Sequence, residues 1–437
     1  MEKPRGSDEE EALTADGQGV SLRPEAAGQE ERLAELFDVV LESNPFQRAR
    51  VEELGLGDRP SLSELRPLTK RELVADQERH RPFGTNLTYP LDRYTQLFQT
   101  SGTTAHPLRV LETAEDWDWW RSRFAHTMTA AGLDSSDRVA LAFSFGPHVQ
   151  FWAAKEGLQE IGAMGVSMGG MGSVQRLQTL AEVEATTLWC TPTYALHLLE
   201  VAVEQRLEST LESVERVLCT GEPGGSLPGL RSRIEEGFGA VCIDHAGLTE
   251  AGPFGDPCVG GHGLHIDENE FVCEILNEDL SPTPQGERGE LVITPLHLTG
   301  FPAIRYRTGD SVIATDEQCP AGHPGRWLPG GIVGRTDDMV VVRGMNVYPS
   351  AIEEAVRQVS TTGEFRITFY TERSGMDEVK LEVELTDGPD ARRLQESMRQ
   401  QLGLRVRVVP IAPGVLPRQT GKSRRVVDER TPRWVAS

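Results

Sequence analysis

The stretch "GRTDDMVVVRGMNVYPSAIEEAV", Gly334 to Val356, decides how this chain divides. A boundary falls near its first half, Gly334 to Gly344, and "SAIEEAVRQV" after it carries helical periodicity. Downstream, "FRITFYTE" and "EVKLEVEL" alternate as strands, "ARRLQESMRQQLGL" reads as a second helix and "RVRVVPI" as a third strand. That order predicts a small C-terminal α+β domain over 337–437, of about 100 residues by ordinary domain sizes. Upstream the texture is different: "RVALAFSF" and "TLWCT" are short apolar strand-like runs, while "SVQRLQTLAEVE" and "PTYALHLLEVAVEQ" have helical spacing. Strands alternating with helices imply a mainly parallel sheet with helices on its faces, and from Leu291 to Asp310 the chain turns β-rich and glycine-punctuated. The expected fold class is therefore α/β, a large N-terminal multi-sheet α/β domain over 29–336 with the smaller α+β domain after it. "ERLAELFDVVLES", with Leu33, Leu36, Phe37, Val40 and Leu41 at helical spacing, starts the folded body, and residues 1–28 are an acidic tail expected to be disordered.

At 437 residues the chain exceeds what one hydrophobic core supports, in line with that division. Its 44 basic against 67 acidic side chains give a net charge of −23, which repels nucleic acid and anionic membrane surfaces at long range. An anionic substrate would need a local cluster of backbone N–H groups, basic side chains or a divalent cation. No stretch approaches the roughly 20 apolar residues of a membrane span, and the first residues lack the apolar core of a secretion signal, so a cytoplasmic protein is expected. The six cysteines are sparse and irregularly spaced, as reduced thiols rather than a disulfide framework would be.

"TSGTT", Thr100 to Thr104, packs small and hydroxylated residues of the kind that, between a strand and a helix, let N–H and hydroxyl groups converge on phosphate oxygens. Alone it reads more often as a polar turn between two strands. Four further stretches accompany that boundary segment and this loop: "CTGEPGG" from Cys219, "DHAGLTEAGP" from Asp244, "YRTGD" from Tyr306 and "TGKSRRVVDER" from Thr420. In this order they resemble the adenylate-forming acyl-CoA synthetases, and within them the phenylacetate-CoA ligase branch, over about Pro67 to Arg430.

The resemblance implies that ATP and a carboxylate, here an aryl or arylacetic acid, form an acyl-adenylate and pyrophosphate, after which the thiol of coenzyme A displaces AMP. It implies Thr100, Ser101, Gly102, Thr103 and Thr104 as the phosphate loop and Gly221, Glu222 and Pro223 along the adenine. Thr249 joins the nucleotide site, Glu250 is the Mg2+-associated carboxylate, and Asp310 and Arg335 hold the ribose. Asp337 is the hinge of a mobile small domain, Lys422 the lysine that reaches in for the first step, and Gly344 leaves room for the pantetheine arm. The family also suggests a homodimer. Two alternatives stay open: transfer of the acyl group to an amine or a carrier-protein thiol, or a non-catalytic nucleotide-binding homologue.

Three departures from the branch stand out. Ala105 and His106 replace a Gly-Lys pair, Ala246 replaces the tyrosine that stacks on adenine, and "CPAGH" has Ala321 where a second cysteine is common. Cys258, His265, Cys319 and His323 could still satisfy a structural tetrahedral Zn2+, with His262 as a competing ligand; buried thiols and hydrogen-bonded imidazoles would read the same way. "LAFSFGPHVQFW" places Phe143, Phe145, His148 and Phe151 around an acyl pocket, with Gly169 of "GVSMGG" in its wall, although an aromatic stripe also serves a plain core.

Overall fold

The computed structural model describes residues 28–57, 59–100, 107–260 and 263–336, and in the C-terminal part 340–342, 345–347, 349–359, 364–372, 377–385, 388–402, 406–417 and 425–430. At its centre is a five-stranded parallel sheet, in the order Met164–Ser167, Arg138–Leu141, Thr187–Cys190, Arg216–Cys219, Val241–Asp244. Parallel strands need crossovers, and the helices Val149–Glu160, Ser173–Glu182, Pro192–Gln205 and Pro228–Phe238 supply them. The inner strands are apolar at nearly every position because both faces are covered. Successive side chains point to opposite faces, so Leu188 and Cys190 join a core with Leu177, Leu198 and Ile234, while Trp189 joins Trp120, Phe124 and Leu158 on the other side.

That second layer holds the helix Ala114–Ala130, which starts at a capping box between Thr113 and Asp116. Its Arg123 and Thr127 both donate to the buried Asp256 carboxylate, at 2.7 Å each, fixing the helix to the strand Gly252–Pro257. An antiparallel sheet follows in which Tyr306–Ile313 pairs with Arg288–Pro295 and with Gly334–Arg335.

The last part carries a core of its own, from Val340 to Val406, around a sheet ordered Val406–Ile411, Asp377–Glu384, Phe365–Thr371, Val426–Asp428. Two helices, Pro349–Val359 and Gly388–Leu402, complete it, so the strands and helices expected there form as read. The fourth strand, Val426–Asp428, lies beyond the expected set; its three residues are too short for periodicity to reveal. Among the described residues no helix is long and apolar enough to cross a membrane.

One local alternative is decided. The hydroxyl-rich loop after Gln99 does not join a strand to a helix: Tyr94–Gln99 and Arg109–Thr113 pair antiparallel, so it is the connection of a hairpin.

Candidate active site

The carboxyl ends of the five parallel strands open on one side, where ligands of open α/β sheets bind. From the strand Arg216–Cys219 the chain runs directly into Thr220, Gly221, Glu222 and Pro223. Gly221 has φ 89°, a left-handed turn that a side chain would strain. One Glu222 carboxylate oxygen accepts from the Thr193 backbone N–H at 2.9 Å, at the start of Pro192–Gln205, and burial raises this carboxyl's pKa.

From Val241–Asp244 the chain enters His245, the short strand Ala246–Leu248 and the turn holding Thr249 and Glu250. Glu250 is 3% exposed, with Lys70 Nζ 3.3 Å from its Oε1. Lys70 opens the helix Lys70–Arg79, held at its start by a Thr69–Glu72 capping box. Tyr306 is also buried; its burial, and then the neighbouring Glu250 carboxylate, push its phenol well above the usual range. Asp310 and Arg335 face each other across paired strands, and Arg335 Nη1 donates to Asp310 Oδ1 at 2.9 Å. The carboxylates of Glu250 and Asp310 and the guanidinium of Arg335 all act on the Tyr306 phenol, which places the three in one cluster. Thr100 is buried with its hydroxyl unpartnered, and its N–H donates to Leu108 O across the hairpin.

The aromatic residues divide. Phe143 and Phe151 stack at 4.3 Å and, with Phe124, Gln150, Ala154, Trp189, Thr220 and His245, line a closely packed recess too tight for a water molecule. Phe145, His148 and Gly169 do not line it, because Phe145 turns its edge to Trp152 and His148 Nδ1 lies 3.2 Å from Gln99 O. Gly169 packs directly behind: a Cβ there would come within 3.2 Å of the Phe145 ring. Sequence reading missed Lys70, Trp189, Thr220 and His245. Thr220 and His245 had a usable signal, since each is the residue that follows a strand into a glycine-containing segment; Lys70 had none, since its partner is remote in sequence.

The thiols of Cys258 and Cys319 are 3.4 Å apart, and ligand atoms of Cys258, His265 and Cys319 all lie within 4.8 Å of one another. All three residues are buried, and neither ring nitrogen of His265 has a hydrogen bond of normal geometry. Burial, and then His323, lower the His265 pKa to about 4; burial and Cys319 raise the Cys258 thiol to about 12. His323 is adjacent, its ring centroid 5.3 Å from that of His265, but its Nε2 is bonded to Val259 O at 2.7 Å. Its other ring nitrogen is the one left for a cation. Buried neutral imidazole and thiol donors brought together in this way suit Zn2+. Cys273 sits in the strand Phe271–Leu276, inside the core.

Ser101, Gly102, Thr103, Thr104, Ala105, His106, His262, Asp337, Gly344 and Lys422 lie outside the described residues.

Comparison with known proteins supplies the class. Residues 344–430 match the AMP-binding enzyme C-terminal domain. The phenylacetate-coenzyme A ligase of Thermus thermophilus is 29% identical, the alignment covering 92% of this chain and 96% of that one; the enzyme of the same name from Escherichia coli is 29% identical over 92% and 94%. The crystal structure of 2-hydroxyisobutyryl-CoA ligase in its postadenylation state is 30% identical, covers 92% of this chain and 89% of that chain, and superposes with a TM-score of 0.84. The same enzyme in its thioesterification state superposes at 0.68. The likeness to these ligases gives the class, the AMP-forming acid–thiol ligases. The chain belongs to the adenylate-forming acyl-CoA synthetases, in their phenylacetate-CoA ligase-like branch.

Proposed function

We propose that the protein activates an aryl or arylacetic acid with ATP, giving an acyl-adenylate and pyrophosphate, and passes the acyl group to the thiol of coenzyme A with release of AMP. The observation that carries this reading is the grouping of Glu250 and of Asp310, paired with Arg335, about the buried Tyr306 phenol. Asp310, held in register opposite Arg335, accepts the ribose hydroxyls, and Gly221 to Pro223 run along the adenine. Thr100 and residues 101–104 contact the β- and γ-phosphates, and Thr249 stands before Glu250 on the nucleotide side. Glu250, a buried hard-oxygen donor, would hold Mg2+, which offsets phosphate charge when bound. A substrate carboxylate oxygen attacks the α-phosphorus, the bond to pyrophosphate breaks, and the Lys422 ammonium stabilises the converging negative charge. The coenzyme A sulfur then attacks the acyl carbonyl and AMP leaves.

Residues 29–336 form the adenylation domain in this reading and 337–437 the mobile one, turning at Asp337 so that Gly344 comes to face the thiol channel. The closer superposition on a postadenylation state than on a thioesterification state supports such an alternation. Cys258, His265 and Cys319, with His323 as fourth ligand, form a structural Zn2+ site. A cytoplasmic homodimer belongs to the same reading, supported by the family likeness. Acid-dependent exchange of radiolabelled pyrophosphate into ATP tests the first half-reaction, and thioester mass with coenzyme A the second; thioester formation without AMP would contradict it.

A further inference from the structure

The helix Pro228–Phe238 begins without a cap of its own. Leu227, at its N-cap, has no side-chain oxygen, and the first helical residue, Pro228, has no N–H. The first donor left over is the Gly229 N–H, and it is met by a residue 125 positions away: Glu354 Oε1, on the helix Pro349–Val359 of the C-terminal part, accepts it at 2.8 Å. A carboxylate placed there satisfies an orphan donor and faces the positive end of the helix dipole. Gly229 leaves the room for it, since a Cβ at that position would stand 2.9 Å from the same oxygen.

Charged groups from both parts surround this cap. Arg233 lies one turn along the helix from Gly229; burial, and then Arg357 of the C-terminal part, lower its pKa to about 10, with Glu200 and Glu353 opposing. Arg425 Nη1 donates to Glu353 Oε1 at 3.0 Å, and the charges of Glu353 and Arg425 both reach Glu222, in the segment proposed to run along the adenine. Apolar surface resists separation, whereas charged groups and a helix N-terminus can be handed back to water. A contact of this kind can therefore hold one orientation of the two parts and still release it. The orientation held here superposes on the postadenylation state of 2-hydroxyisobutyryl-CoA ligase at a TM-score of 0.84 and on its thioesterification state at 0.68.

Resting on the reading that the small domain turns between the two half-reactions, we infer that Glu354 is a positioning residue: its carboxylate, seated on the N-terminus of Pro228–Phe238, selects the orientation in which the acyl-adenylate is made and held, and leaves that seat before coenzyme A attacks. Glu354 touches no reacting atom; it acts through the placement of its domain.

The test compares acid-dependent pyrophosphate exchange with thioester formation from a supplied acyl-adenylate, using the acid that the wild type exchanges fastest from a panel of phenylacetate, benzoate and short aliphatic acids. Glu354→Ala removes the acceptor and its charge while keeping a strong helix former. Gly229→Ala is the sharper variant: alanine favours a helix over glycine, so the melting temperature should hold or rise, while its methyl group displaces the carboxylate. Each should lower exchange by about tenfold and leave thioester formation unchanged or faster. A merely structural contact would move both half-reactions together. The inference is overturned alone if folded variants lose both half-reactions equally or lose neither, and Gly229→Ala decides should Glu354→Ala fail to fold. A wild type that shows no exchange with any acid overturns the ligase reading and this inference together.

Discussion

Single residues carry the charge logic of the site. Glu250 is buried between Lys70 and Tyr306, so its carboxylate is positioned rather than solvated. Glu250→Gln keeps the shape and removes the charge, and should lower the kcat/KM of pyrophosphate exchange by about 100-fold with little change in melting temperature. Loss of both together would instead mark a structural carboxylate. The adjacent pair Asp244 and His245 gives a pH signature. Burial raises Asp244 to about 6, so its stabilising contribution is full below the unfolded value of 3.8 and lost as pH rises through 6. Burial lowers His245 to about 4, so its contribution is present above 6.5 and lost as pH falls through 4. Between pH 6 and 4 the two oppose each other, and single variants separate them. Relative to the wild type, His245→Leu should gain stability on acidification across that window and Asp244→Asn should lose it, each by about 3 kcal/mol in denaturant titrations. Parallel curves for all three proteins would contradict the assignment.

At the scale of elements, the proposed metal site links the loop at Cys258, the strand Gly263–Ile266 and the loop from Cys319 to His323. A thiol raised to about 12 stays protonated at neutral pH unless a cation displaces its proton, so the site depends on metal to hold two thiolates together. Protein purified without added zinc should contain about one zinc per chain by elemental analysis, and Cys319→Ser should lose it and melt several degrees lower. A chain that is metal-free and equally stable would remove the site. The sequence made many elements legible because their periodicity is local: the helices Ser173–Glu182 and Pro192–Gln205, and strands such as Thr187–Cys190 buried on both faces, show their character in order. Of the two placements left open for the hydroxyl-rich run after Gln99, the paired strands on either side fit the one between two strands; such a run looks the same in sequence whether a strand or a helix follows it. Glu250, Asp310 and Arg335 were named through the resemblance that their motifs carry, not through any local pattern of periodicity. Lys70 was illegible, since only packing between remote segments brings it to Glu250.

Across the whole molecule, the two parts meet where the helices Pro228–Phe238 and Pro349–Val359 pack together, and Glu354 accepts from the Gly229 N–H at 2.8 Å. Arg425, which donates to Glu353 and Glu364, also lies near enough to Glu222 for their charges to interact. In the proposed reaction Lys422 acts in the first half. Lys422→Ala should therefore suppress pyrophosphate exchange by about 100-fold while changing thioester formation from a supplied acyl-adenylate far less; equal losses would count against alternating use of the small domain. The central claim, that one site adenylates an acid and then transfers it to coenzyme A, is tested most directly by incubating the protein with ATP, Mg2+, coenzyme A and a panel of hydroxylated and unsubstituted aryl acids, and following products by mass. The account predicts acyl-CoA and AMP in equal amounts, with pyrophosphate, only when an acid is present. ADP and phosphate as products, or no acid-dependent AMP with any member of the panel, would contradict it.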